Sequence, residues 1–105
     1  MNNDTICAPA TPAGGALGII RVSGSGAIPA VDALFRAVNG QPLASRAGYS
    51  LSYGTLQTDE GETIDDVVVS LFRAPRSYTG EDSIEITCHG SRYIINKVLE
   101  ELVRC

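Results

Sequence analysis

Apolar residues follow two different rhythms along this chain, and the change of rhythm marks its elements. Residues 4–8, Asp-Thr-Ile-Cys-Ala, suit a short first strand, and the prolines and glycines of Pro9 to Gly15 then predict a loop. "ALGIIRVSG", Ala16 to Gly24, is rich in β-branched residues and predicts a second strand. From Ser25 the spacing turns helical, with Ile28, Val31, Leu34 and Phe35 on one side, Ser25 placed to cap and Pro29 in the first turn. "AVNGQPLASRAG" reads as a connection. Strands are predicted over Tyr49 to Thr58 and Ile64 to Arg73, joined by a hairpin turn at Glu60-Gly61. The run Val67, Val68, Val69, Leu71, Phe72 is too continuous for a strand with one wet face, which predicts a central position. A second loop, "APRSYTGED", leads to a fifth strand over Ser83 to Cys88. Ser91 to Cys105 then places Ile94, Ile95, Val98, Leu99, Leu102 and Val103 on one helical face.

These elements predict a single α+β domain over residues 1–105, with a mixed, largely antiparallel sheet of about five strands and two or three helices. Apolar residues make up 44% of the chain and charged residues 19%, so a folded domain is expected. No run approaches the roughly 20 apolar residues of a membrane span, and the start lacks the basic and apolar regions of a signal peptide. A cytoplasmic location follows as the expectation. The chain stops inside an amphipathic helix without a glycine stop, which predicts a piece of something longer.

Charge narrows the functional classes. The net charge of -4 argues against this domain alone clamping a nucleic acid, whose phosphates select lysine and arginine. Cys7, Cys88 and Cys105 are three widely spaced cysteines, which form neither a disulfide framework nor a CxxC metal site. The glycines of "TPAGGALG" lack the following Lys-[Ser/Thr] of a phosphate loop, so they serve turn geometry or close approach to a ligand or partner. His89 is the one histidine of the chain. Its neighbour Cys88 points to the opposite face of a strand, which disfavours a shared metal or a Cys-His dyad and leaves His89-Gly90 as a strand-to-helix turn.

Two charged residues sit where a strand needs none. Arg21 interrupts "LGIIRVSG", and Glu85 stands between Ile84 and Ile86. The two are candidates to pair with each other, because a desolvated charge requires a partner. Alternatively each meets a ligand. A strand-centre carboxylate can accept two parallel N–H bonds, the geometry of the 2-amino-4-oxo-pyrimidine edge of guanine and of the pterin ring of folates. The arginine fork suits a carboxylate or a polar heterocycle.

The stretches "NDTICAPATPAGGALGIIRVSG" (Asn3–Gly24) and "IDDVVVSLFRAPRSYTGEDSIEITCHG" (Ile64–Gly90), with the helix after them, resemble the N-terminal domain of the bacterial tRNA-modification GTPases, the MnmE (TrmE) family. The resemblance implies a fold similar to the tetrahydrofolate-binding domain of the glycine-cleavage T protein. It also implies binding of a one-carbon tetrahydrofolate such as the 5-formyl form, with Arg21 and Glu85 at the family's folate-contacting positions, and a constitutive homodimer. In the longer proteins of the family, helical and GTPase domains follow, with GTP, Mg2+ and K+ as their cofactors. Together with the FAD-containing MnmG (GidA) flavoprotein they place an aminomethyl-type group on the wobble uridine of tRNA. On that basis this chain is not expected to be an enzyme by itself. Two other functions stay open: a pure dimerisation module with an incomplete folate pocket, and a stand-alone folate enzyme of the aminomethyltransferase type. The sequence departs from the family pattern at Thr11-Pro12-Ala13-Gly14-Gly15-Ala16, one residue short and lacking an arginine. It departs again at Ser91, where a second glycine is common.

Overall fold

The computed structural model describes residues 5–11, 14–74 and 80–104. Its elements run β1 (Ile6–Pro9), β2 (Leu17–Ser23), α1 (Ala27–Asp32), β3 (Phe35–Ala37), a single 3-10 turn (Leu43–Ser45), β4 (Tyr49–Gln57), β5 (Thr63–Phe72), β6 (Ser83–His89) and α2 (Arg92–Arg104). The strands form one six-stranded sheet in the order β1-β2-β6-β5-β4-β3, and each neighbouring pair is antiparallel. The α+β class expected from the sequence is the class observed.

Side-chain alternation divides this sheet into two unlike faces. Ile20 and Val22 of β2, Val67, Val69 and Leu71 of β5, and Ile84 and Ile86 of β6 are buried on one face. They pack with Ala27, Ile28 and Val31 of α1 and with Ile95, Val98 and Leu102 of α2. A fully buried aliphatic side chain contributes about 1.5–3 kcal/mol, so this layer supplies most of the driving force for folding. The opposite face exposes Leu51, Tyr53 and Val68.

β5 occupies the predicted interior position, between β6 and β4. Its apolar run does not mark burial on both sides, however. Val67 and Val69 are buried, whereas Val68 between them is 37% exposed. The hairpin falls where it was expected: Gly61 has φ +84°, its N–H donates to the Thr58 carbonyl at 2.9 Å, and the Thr58 N–H donates to Glu62 at 2.8 Å.

The helical reading from Ser25 is corrected at both ends. α1 begins after Gly26, whose N–H donates to Thr5 Oγ1 at 2.8 Å, and it ends at Asp32. Leu34 and Phe35 are buried as the spacing required, but Phe35 opens a sixth strand, β3, against Leu56 of β4. Gly54 admits that strand, because a Cβ there would overlap the Arg36 carbonyl oxygen. The predicted connection also holds the 3-10 turn, which seats Leu43 in the core. Asp32 accepts the N–H groups of Leu43 at 2.7 Å and Ala44 at 3.0 Å, and the Arg73 guanidinium donates to the Ala44 and Arg46 carbonyls at 2.9 and 3.1 Å. In α2, Ile95, Val98 and Leu102 are buried and Ile94 and Leu99 half-buried, while Val103 is exposed rather than part of the packed face. Ser91 caps this helix through the Ile94 N–H at 3.1 Å.

Gly54→Ala should force β3 away from β4 and lower unfolding stability by about 1–3 kcal/mol, the usual cost of an overpacked contact. Urea denaturation measures it. A variant as stable as the parent would show that β3 yields without cost.

Candidate functional site

β2 and β6 pair in a register that sets Ile20 opposite Ile86 and Val22 opposite Ile84. Those four side chains take the covered face, so Arg21 and Glu85, directly opposite each other, must take the open one. The two residues singled out from the sequence therefore meet. Arg21 donates to Glu85 Oε2 from Nη2 at 2.7 Å and from Nε at 3.1 Å. Both bonds land on one carboxylate oxygen.

Their row crosses the sheet as Ala8, Arg21, Glu85, Ser70 and Leu51. The next row holds Ile19, Thr87, Val68 and Tyr53. The charged pair thus borders an apolar floor. The side chains of Arg21 and Glu85 are 38% and 27% exposed. Such a pair is not a sealed core salt bridge, and solvent screening leaves it worth about 1 kcal/mol or less to the fold. Its carboxylate stays within reach of an incoming donor.

At the far end of β6 the chain closes a knot of backbone bonds. The Gly14 N–H donates to the Gly90 carbonyl at 2.8 Å, and the Gly90 N–H donates to Ala16 at 3.1 Å. A Cβ at Gly90 would overlap the Gly15 carbonyl, so glycine is required at this crossing. Thr11 Oγ1 accepts the Ile19 N–H at 3.0 Å and ties the same loop to β2. The close approach allowed by the glycine-rich loop is therefore made, among the described residues, to its own chain. Residues 12–13 of that loop lie outside the described residues, as do Ser77, Tyr78 and Thr79 of the second motif.

Cys88 and His89 diverge as strand alternation requires. Cys88 is buried, with its thiol 3.7 Å from the Gly18 carbonyl. Desolvation, and then the nearby Asp65 carboxylate, push this thiol up to about 11. A thiol so shifted is a packing group, not a nucleophile. His89 ends β6 and is exposed, in keeping with a strand-to-helix turn.

Sequence reasoning did not link His89 to Asp65. The Asp65 carboxylate accepts the His89 backbone N–H at 2.8 Å and lies 2.8 and 3.0 Å from His89 Nδ1. The available signal was the Asp65-Asp66 pair at the head of an apolar strand.

The family model described as "GTP-binding protein TrmE N-terminus" matches residues 5–105. The chain belongs to this family. Among TrmE N-terminus relatives, the tRNA modification GTPase MnmE of Bacteroides thetaiotaomicron is 54% identical over 105 residues, covering 99% of this chain and 22% of the relative. The protein of the same name from Bacteroides fragilis is also 54% identical, with the same coverage. That of Symbiobacterium thermophilum is 40% identical over 99% of this chain and 23% of its own length. The chain thus spans roughly a fifth of the length of these relatives. Among the described residues no helix is long and apolar enough to cross a membrane.

The raised Cys88 thiol has a consequence for stability. In the unfolded chain it titrates near its ordinary 9.0, and in the folded domain near 11. Below pH 9 both states keep the proton and the contribution is fully present. Between these values only the unfolded chain loses it, so stability falls as pH rises through the window. Melting temperatures across that window should fall less steeply for Cys88→Ala than for the parent. Equal slopes would show that the thiol is not held protonated by the fold.

Proposed function

We propose that this TrmE N-terminus domain binds a one-carbon tetrahydrofolate at the Arg21–Glu85 pair and associates with a second copy of itself. It would do so as the N-terminal part of a GTPase that modifies tRNA. The observation that carries the reading is Glu85, a carboxylate on the open sheet face with both arginine bonds on a single oxygen. A pterin presents two parallel N–H groups on its 2-amino-4-oxo edge, and a carboxylate that accepts both gains two charge-assisted bonds. Arg21 is a charged contact in the same pocket and, through its two bonds to Glu85, a clamp that orients that carboxylate. The neighbouring Ile19, Thr87 and Val68 supply an apolar surface for the rest of the ligand. 5-Formyltetrahydrofolate is the form we assign.

Self-association is supported by the uncovered face. Tyr49, Leu51 and Tyr53 of β4 are each more than half exposed. A small domain gains from covering such a surface, and a homodimer is the commonest way to do so. The same observation favours the second reading, a dimerisation module without a working folate pocket. Folate calorimetry separates the two.

The remaining activity belongs to the longer protein: GTP hydrolysis with Mg2+ and K+, cooperation with a FAD flavoprotein of the MnmG (GidA) type, and modification of the wobble uridine of tRNA in the cytoplasm. The names of the relatives support the tRNA and GTPase parts of this reading. With a net charge of -4, this domain leaves the contact with tRNA to other parts of the assembly.

Glu85→Gln keeps the shape of the side chain but sets a donor against a pterin donor. Calorimetry with 5-formyltetrahydrofolate should show a loss of about 2–4 kcal/mol, or roughly 30- to 1,000-fold in affinity. Thermal stability should change little, because the ion pair is part-exposed. A large fall in melting temperature with unchanged folate affinity would make Glu85 a structural residue and overturn the assignment. For the dimer, sedimentation at micromolar concentration should give about twice the monomer mass of 11.0 kDa. A strictly monomeric species that stays so when concentrated would count against it.

A further inference from the structure

Ser70 interrupts the aliphatic run of β5 directly opposite Glu85. Its neighbours Val69 and Leu71 are fully buried on the covered face, so alternation sends the Ser70 hydroxyl to the open one. Directly opposed side chains on one face have Cβ atoms about 5 Å apart. Glu85 is thus flanked by Arg21 of β2 on one side and by Ser70 of β5 on the other. Ser70 is half-buried, and no hydrogen bond within the described residues engages its hydroxyl. Beyond these flanking residues the row turns apolar, at Ala8 and Leu51.

The two flanks differ in what they can accept. The Arg21 guanidinium only donates, and two of its bonds already end on Glu85 Oε2. A serine hydroxyl both donates and accepts. The 2-amino-4-oxo edge of a pterin carries one N–H on ring N3 and two on the amino group. Glu85 can accept the N3–H and the amino hydrogen parallel to it. The outer amino hydrogen still needs an acceptor, because a desolvated N–H left without one is costly. Turned towards Arg21, it would face donors. Turned towards β5, it meets Ser70.

We infer that Ser70 is a further ligand contact, its Oγ accepting the outer hydrogen of the 2-amino group of the pterin held at Glu85. The inference rests on the folate reading of Glu85. It orients the ring, with the amino group over β5 and the 4-oxo group towards β2. It also makes the 2-amino group a point of discrimination. Thr87, another hydroxyl on this face, stands about 7 Å from Glu85 along β6 rather than opposite it.

Calorimetry with two probes tests this: 5-formyltetrahydrofolate, and its analogue with a methyl group in place of the 2-amino group. Ser70→Ala should weaken the amino compound roughly 3- to 10-fold, the effect of one ordinary hydrogen bond, and leave the methyl analogue unchanged. Glu85→Gln should weaken both, since each keeps its N3–H. If Ser70→Ala weakens neither probe while Glu85→Gln weakens both, the inference fails and the Glu85 reading stands. If Ser70→Ala weakens both probes equally, the hydroxyl acts by orienting Glu85, and the inference fails as well. A preference for the amino compound that survives Ser70→Ala and is lost in Thr87→Val would move the contact to Thr87 and overturn the assignment. A parent chain that binds neither probe overturns both readings.

Discussion

The register of β2 against β6 is the constraint on which the rest of the molecule depends. Ile20 against Ile86 and Val22 against Ile84 bring four aliphatic side chains under the helices. Because side chains alternate, the same register delivers Arg21 and Glu85 to each other on the opposite face. A slip of one residue would exchange the sets and drive two charges into an apolar layer, at a cost far beyond what the domain can spare. Core packing and the meeting of Arg21 with Glu85 are therefore one event. The hydrophobic layer holds the register, and the register holds the charged pair.

A second consequence follows from the number of helices. Among the described residues, α1 and α2 both pack on the same side of the six strands, so one face stays open. That face is neither fully polar, as in a solvated sheet, nor fully apolar, as in a buried one. It mixes Tyr49, Leu51, Tyr53 and Val68 with the Arg21–Glu85 pair. Such a mixture suits recognition: apolar area gives affinity, and a few placed charges give orientation. The end of the sheet where the strands part adds a third element. There Asp65 finishes the β6 backbone and fixes the imidazole of His89 in one step. Gly90, meanwhile, lets the glycine-rich loop close against the start of α2.

Much of this was legible along the chain because the signals are local. Alternation over β2 and β6, the turn at Gly61, and the helical stripe of Ile95, Val98 and Leu102 each lie within a short window. The oddity of Arg21 and Glu85 was equally plain, since each is a lone charge in an apolar run. β3 was not legible. The spacing of Ile28, Val31, Leu34 and Phe35 fits a helix, and only the bond from the Gln57 N–H to Leu34, together with the room left by Gly54, turns Phe35 into a strand. Nor could the continuous valines of β5 tell which of its faces would be covered.

The sequence by itself determined the class of fold, the family and the two lone charges at the centre of the candidate site, because periodicity, motifs and lone charges are properties of neighbouring residues. Tertiary structure alone decided that Arg21 and Glu85 meet on an open face rather than inside. It alone joined Asp65 to His89 across 24 positions. Both outcomes depend on which strands lie side by side and where their ladder ends. Those are long-range pairings, fixed only when the apolar layer closes and the backbone N–H groups left at its edge must find acceptors.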